Sequence, residues 1–234
     1  MIWQLFRGLD AETLPFVLVQ LAAAITVMLL CLSFHEFAHA WMAKKMGDDT
    51  AQMHGRLTMD PFKHMDPFGA LLFLVIGVGY AKPVPVNPRK FRNRKKGTLL
   101  VSLAGPGSNL LLAFPLALLL SATMVLHVLV ADEITQLVVM YAQYVLWFNI
   151  MLMIFNLLPV PPLDGFHVLD LLLPMRASLR ISQYMHIIRW VFLGAILFAA
   201  FSGAGFLGAL TRPLFDLFFN AARWLALQVI PLFI

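Results

Sequence analysis

The chain has 234 residues, of which 61% are hydrophobic and 12% are charged, and its mean hydropathy is +0.83. Soluble globular domains carry about 25% charged residues, so this composition excludes a soluble fold. The net charge is +5, but the excess basic residues are concentrated in one stretch and do not form a nucleic-acid-binding face. We therefore expect no nucleic-acid partner. Because long uncharged runs recur, we predict an all-α polytopic membrane protein.

The first apolar run extends from Pro15 to Phe34 and contains no charged residue. As a helix it would be about 30 Å long, which is the thickness of the hydrocarbon core. His35, Glu36 and His39 follow, and an apolar stretch then continues to Lys44. The three ionisable residues are therefore predicted to lie inside the membrane, where each costs roughly 2.5 to 3.5 kcal/mol unless a partner neutralises it.

The motif His35-Glu36-Phe37-Ala38-His39 offers such a partner. Two histidines four residues apart lie one turn apart on the same helix face, where they can share one cation, and the glutamate lies about 100° around the helix. This arrangement fits a zinc ion, with Glu36 beside the metal rather than bound to it. The alternative is a pair of core histidines that are hydrogen-bonded to neighbouring helices.

Further apolar spans predict about five transmembrane helices in total. The additional spans are Thr98 to Val130, Ile134 to Leu158, Tyr184 to Phe201 and Pro213 to Ile234. A shorter run, Phe68 to Tyr80, would be only about 20 Å long and is predicted to be re-entrant or interfacial. We expect residues 1–234 to form a single membrane-embedded domain, with a catalytic core at about 15–170 and accessory helices at about 184–234.

Basic residues predict the orientation of these helices. Most of the 17 Lys and Arg residues lie between Lys44 and Lys96 or between Leu163 and Arg189, whereas residues 131–133 include none. By the positive-inside rule the basic segments are cytoplasmic, so the histidines would lie in the cytoplasmic half of the cell membrane. The basic segment 89–96 is predicted to contact anionic lipid headgroups, and an acidic substrate flank is the alternative.

Catalytic zinc takes three protein ligands and keeps one position open, so a third ligand is needed. Asp164 follows Asn156 to Leu163, a segment whose three prolines prevent a regular helix at the cytoplasmic end of an apolar span. A carboxylate there can reach back to the histidines, and Gly165 is predicted to permit the tight turn that aims it. Six other aspartates are predicted to lie on the opposite face or in the polar loop; they are Asp132, Asp216, Asp48, Asp49, Asp60 and Asp66.

Several motifs in the same order resemble those of the site-2 proteases, the intramembrane zinc metalloproteases of peptidase family M50, in their compact form without a PDZ domain. The motifs are FHEFAHAW at Phe34 to Trp41, GRLTMDPFKHMDPFG at Gly55 to Gly69, AKPVPVNPRKF at Ala81 to Phe91, SLAGPGSN at Ser102 to Asn109 and FNLLPVPPLDG at Phe155 to Gly165.

This resemblance implies one Zn²⁺ per chain, held by His35, His39 and Asp164, with Glu36 as the catalytic base. It also implies that Asn156 lies beside the site as an oxyanion partner. Asn109 ends the family's Gly-x-x-x-Asn element and is expected either to line the substrate site or to pack helices together. The implied activity is hydrolysis of peptide bonds in or near transmembrane segments of membrane-protein substrates, as in regulated intramembrane proteolysis.

The segment Gly79 to Pro88 is kept extended by its prolines and is predicted to form an edge strand. An unwound substrate would pair with its backbone, so we expect Val84, Pro85 and Val86 to contact substrate. A membrane-surface loop without substrate contact is the alternative. For the whole chain the alternative function is a metal or proton transporter that uses the same site, although no internal inverted repeat is found. The oligomeric state is left open.

Overall fold

The computed structural model describes residues 13–76, 79, 81–202 and 205–233, and most of them are helical. The helices are α1 (Leu14–Met46), α2 (Thr50–Met53), α3 (Pro61–His64), α4 (Pro67–Ile76), α5 (Arg94–Val130), α6 (Glu133–Asn156), α7 (Asp164–Leu172), α8 (Met175–Ser202) and α9 (Phe206–Val229). Two short 3₁₀ segments are Pro88–Lys90 and Ile230–Leu232. Because the described residues contain no β-strand, the predicted all-α class is confirmed.

Four of the described helices are long and apolar enough to cross a membrane, namely α1, α5, α6 and Met175–Ala199 of α8. The prediction of five spans is therefore too high by one for the described residues. The predicted span Pro213 to Ile234 corresponds to α9, whose outer face carries exposed Arg212, Asp216 and Arg223. Its other face is apolar and packs against α5 and α6, so α9 is amphipathic rather than uniformly apolar.

The helix α1 joins the first predicted span to the His-Glu-x-x-His motif without a break. It contains one π-helical segment, Val27–Cys31, directly before the motif. Such segments are rare and are frequently found at functional sites. The half of α1 that precedes the motif packs against α6, and the half that carries it packs against α5.

The helices α5 and α6 form the centre of the fold. They are antiparallel neighbours because only residues 131 and 132 connect them, and the Asp132 carboxylate accepts a hydrogen bond from the backbone N–H of Thr135 at the start of α6. One apolar core lies between α5, α6 and α9 around Leu120 and Leu146, and a second lies between α1 and α6 around Ala24 and Phe148. The second core, together with the packing of the motif-bearing half of α1 on α5, holds α1 against α5 and α6.

The short apolar run forms the helix α4, which is followed by a segment without regular structure; residues 77, 78 and 80 lie outside the described residues. The predicted edge strand is not formed as a strand. Among the described residues it makes one isolated β-bridge, between Met65 and Ala81, and the backbone N–H of Lys82 donates to the carbonyl of His64. The following prolines have no N–H, so the ladder cannot continue.

Candidate active site

The structure brings His35, His39 and Asp164 together. The two histidine Nε2 atoms lie 3.0 Å apart, and Asp164 Oδ2 lies 3.1 Å from Nε2 of His35 and 3.2 Å from Nε2 of His39. Zinc bonds of 2.0–2.2 Å in a tetrahedral site would separate ligand atoms by about 3.3 Å. The three atoms therefore have the chemical identity and nearly the spacing that a zinc ion requires.

Hydrogen bonds on the other ring nitrogens explain why a cation fits here. Nδ1 of His39 donates to the backbone carbonyl of Val101 over 2.7 Å, and Nδ1 of His35 donates to Oδ1 of Asn109 over 2.7 Å. Each neutral imidazole then has its lone pair on Nε2. Two lone pairs and the Asp164 carboxylate converge on one point, where they repel one another unless a cation lies between them.

Gly105 on α5 forms the back wall of this site. A Cβ atom at this position would collide with the Nε2 atoms of both His35 and His39. The helix backbone thus approaches the imidazoles more closely than any other residue would allow. The absence of a side chain at position 105 leaves the space that the rings and a bound ion need.

Asp164 is the first residue of α7, next to the irregular segment predicted from its prolines. The helix N-terminus favours the negative charge of its carboxylate. Gly165 has a different role from the predicted one: it is helical, and a Cβ there would collide with the backbone carbonyl of Leu157. The prediction of a tight turn at Gly165 is therefore wrong, and close approach of α7 to the end of α6 is what requires glycine.

Glu36 lies beside the three ligand atoms and not among them. Its side chain is 8% exposed and lines a cavity of about 530 Å³, together with His35, His39 and Asp164. This volume falls in the range of small-molecule and peptide sites. Glu36 is therefore free to contact a water or substrate atom in the cavity, because it is not one of the three clustered residues that could bind a metal ion.

The two predicted amides occupy different positions. Asn156 is the last residue of α6 and lines the cavity, and its Nδ2 donates to the carbonyl of Leu152 over 2.9 Å, which leaves its second N–H. Asn109 is 0% exposed and lies behind His35, where its amide is bonded to both His35 and Asn149. It therefore lies behind the metal ligand rather than on the cavity surface.

The extended segment also lines the cavity. Pro83, Val84 and Val86 line it, whereas Pro85 does not. Residues outside the segment fix its ends: the Arg56 guanidinium donates to the carbonyl of Lys82 over 2.5 Å, and the buried Asp48 carboxylate accepts from the N–H of Asn87 over 2.6 Å.

An exposed ion pair follows the segment. Nζ of Lys90 donates to Oδ1 of Asp49 over 2.6 Å. This hydrogen bond holds the pKa of Asp49 below its usual value and raises the pKa of Lys90 above its usual value. The pair ties the 3₁₀ segment Pro88–Lys90 to the chain just beyond α1.

Sequence reasoning missed two residues that support the site. Asp48 was assigned to a solvated loop, yet it is 0% exposed, and Asn149 on α6 was not singled out. The available signal for Asn149 was a lone amide in an otherwise apolar span, because polar residues inside membrane helices usually bond to one another.

Comparisons with known proteins agree with this geometry. The profile of Peptidase family M50 matches residues 23–135 and 121–200. YwhC of Bacillus subtilis, provisionally named a zinc metalloprotease, is 41% identical over 163 residues, which cover 68% of this chain and 73% of YwhC. Rip2 of Mycobacterium tuberculosis, with the same provisional description, is 35% identical over 147 residues, which cover 61% of this chain and 54% of Rip2.

Rip2 of Mycolicibacterium smegmatis is 33% identical over 150 residues, which cover 62% of this chain and 54% of that protein. No solved structure matches the chain. The family match covers more than half of the chain and includes all three clustered ligands and Glu36. The chain therefore belongs to peptidase family M50, the site-2 protease family, whose metalloprotease chemistry uses Zn²⁺.

Proposed function

We propose that this protein is an intramembrane zinc metalloprotease that hydrolyses peptide bonds in or near the transmembrane segments of membrane-protein substrates. The observation that carries the proposal is the position of the His35, His39 and Asp164 cluster. Two of its residues lie on α1, a helix long and apolar enough to span a membrane, and all three line a cavity of about 530 Å³.

The residues around the cluster supply the parts of a hydrolytic site. His35, His39 and Asp164 would hold the zinc ion, which would supply Lewis-acid chemistry to a water molecule and to the scissile carbonyl. Glu36 accepts a proton from the attacking water and returns it to the leaving amine nitrogen. The second N–H of Asn156 donates to the carbonyl oxygen as its charge develops, and loss of such a donor typically costs about 10² to 10³ in rate.

The segment 81–87 is proposed to bind the unwound substrate. A transmembrane helix has its backbone bonded internally, so an unwound stretch needs new partners that lipid does not offer. Among the described residues, the backbone N–H groups of Val84 and Val86 have no backbone partner. Addition of a substrate strand would satisfy both chains, and the side chains of Val84 and Val86 would contact it within the cavity.

Glu36 gives the direct test of the reaction. We expect Glu36→Gln to bind zinc but to cleave a single-span peptide in reconstituted vesicles about 10² to 10⁴ times more slowly, because the proton acceptor is lost. The matched control is Glu133→Gln, an exposed residue at the start of α6. Zinc-dependent hydrolysis with Glu36 as the base would be excluded if Glu36→Gln cleaved the peptide at the wild-type rate, or if a zinc chelator left wild-type cleavage unchanged. Zinc flux across the vesicle membrane without cleavage would favour a transporter.

The site is proposed to face the cytoplasm from within the cell membrane, since the basic loops lie on its side of α5. The only native cysteine, Cys31, is 3% exposed, so cysteines introduced elsewhere can be labelled selectively. We expect Lys95→Cys in intact cells to resist a membrane-impermeant thiol reagent and Glu133→Cys to react. The opposite labelling pattern would reverse the orientation.

A further inference from the structure

A chain of three buried polar side chains runs from the metal site into the helix core. His35 is 2% exposed, and Asn109 on α5 and Asn149 on α6 are both 0% exposed. Nδ2 of Asn109 donates to Oδ1 of Asn149 over 2.8 Å, and Nδ2 of Asn149 donates to the backbone carbonyl of Asn109 over 2.8 Å. Asn149 touches neither the cavity nor the ligand atoms.

The backbone carbonyl determines the direction of every hydrogen bond in this chain. A carbonyl oxygen can only accept, so the NH₂ group of Asn149 must face it and Oδ1 of Asn149 must face Asn109. Oδ1 can only accept, so Asn109 must present its NH₂ group to Asn149 and its Oδ1 to His35. Nδ1 of His35 must therefore carry the proton, which leaves the lone pair on Nε2.

We propose that Asn149 is a positioning residue of the metal site. Acting through Asn109, it holds His35 in the tautomer whose Nε2 can bind zinc. Without Asn149 the amide of Asn109 is free to rotate, and its NH₂ group would then favour the opposite tautomer of His35. The inference rests on the zinc site of the proposed function but does not depend on proteolysis.

The test compares Asn149→Leu with Asn149→Asp. Leucine has a similar branched shape but no polar atoms, so we expect zinc affinity to fall about 10- to 100-fold, as is typical when a hydrogen-bond partner of a metal ligand is removed. Aspartate in either protonation state accepts from Nδ2 of Asn109, so we expect Asn149→Asp to keep wild-type zinc affinity within about threefold. Affinity is measured by competition with a chelator in detergent.

A spectroscopic readout separates positioning from packing. Magic-angle-spinning NMR of ¹⁵N-histidine-labelled, metal-free protein in bilayers reports whether each ring nitrogen carries a proton. The signals of His35 are assigned by their absence from a His35→Gln sample. We expect Nδ1 of His35 to carry a proton throughout in the wild type and in Asn149→Asp, whatever the state of Nε2, and to lack that proton in a fraction of the Asn149→Leu molecules. The control Thr211→Val removes another fully buried hydrogen bond, on α9, and should leave the tautomer and zinc affinity unchanged.

Three results would overturn the inference. They are a fully protonated Nδ1 of His35 with wild-type zinc affinity in Asn149→Leu, a partly unprotonated Nδ1 in Asn149→Asp, and an equal loss of affinity in Thr211→Val. Asn149→Ala is prepared in parallel, so that failure of one variant to fold leaves the comparison intact. If these variants bind zinc as expected while the wild type cleaves no peptide, the proposed function fails and the positioning role of Asn149 stands.

Discussion

Gly105 offers a quantitative test of the metal site, because a single methyl group added there enters the space between the two imidazoles. In Gly105→Ala the new Cβ would lie 2.5 Å from Nε2 and 2.6 Å from Cε1 of His35. Carbon atoms in ordinary contact lie about 3.5 Å or more apart, so the ring must retreat by about 1 Å. Zinc sites tolerate deviations of about 0.2 Å in ligand distance, so the displaced ring cannot remain a ligand without further rearrangement.

The expected loss of zinc affinity is roughly 100-fold or more, since removing only a hydrogen-bond partner of a ligand costs 10- to 100-fold. At a zinc concentration of 100 times the wild-type dissociation constant, zinc stabilises the wild type by about 2.7 kcal/mol. A 100-fold weaker site gains only about 0.4 kcal/mol under the same conditions. The assay is therefore thermal unfolding in detergent with and without zinc, supported by a chelator competition titration.

Gly107 provides the matched control on the same helix. A Cβ at this position would meet no atom within 4 Å. We expect Gly107→Ala to keep the full zinc-dependent stabilisation and to gain up to about 1 kcal/mol from the better helix propensity of alanine. Wild-type zinc affinity in Gly105→Ala, or equal losses in the two variants, would refute the assignment of Gly105 as the wall of the metal site.

Three further predictions concern the surroundings of the site. Asp48→Ala removes the acceptor of the Asn87 N–H, so we expect KM for a peptide substrate to rise severalfold while zinc affinity, measured by chelator competition, is unchanged. The pKa of Asp49 is lowered beside Lys90, so their ion pair stabilises the fold at pH values above the pKa of Asp49 in the unfolded chain, about 3.9. This stabilisation is lost as the pH falls through the lower pKa of the folded state. In unfolding measured as a function of pH, the stability difference between wild type and Asp49→Asn should therefore shrink over that range. Neutralising residues 94–96 should weaken the preference of the bilayer-inserted protein for anionic over zwitterionic lipid by about 1 kcal/mol per charge, and equal enrichment of anionic lipid around wild type and variant would exclude lipid contact.

Features that depend on a local pattern were predictable from the sequence. The spacing of His35 and His39 fixes their relative position on any helix, and the prolines before Asp164 predicted a helix break where the structure has one. The apolar runs predicted the long helices because hydropathy averaged over a span reports burial in lipid. The same averaging did not show that α9 carries charged residues on its exposed side and packs aromatic residues against α5 and α6.

Features that depend on how helices meet were not predictable. Gly165 was expected to allow a turn, but the space it leaves is filled by the carbonyl of Leu157 on another segment. Asp48 was expected to be solvated, but its partner Asn87 lies 39 positions along the chain and is brought to it only by folding. Asn149 stands 40 positions from Asn109. No periodicity or spacing connects such pairs, because the connection is made by the packing of α1, α5 and α6.

The charge balance of the site explains why its supporting groups are neutral. In the proposed site the carboxylates of Glu36 and Asp164 would balance the charge of one Zn²⁺, since both histidines are neutral when they act as ligands. The groups that hold the two Nδ1 protons are the carbonyl of Val101 and the amide of Asn109, which add no charge. A carboxylate in either position would leave an unbalanced charge among transmembrane helices, at a cost of several kcal/mol. A neutral amide avoids this cost, but unlike a carboxylate it can be turned the wrong way round, and a second buried amide at Asn149 prevents that.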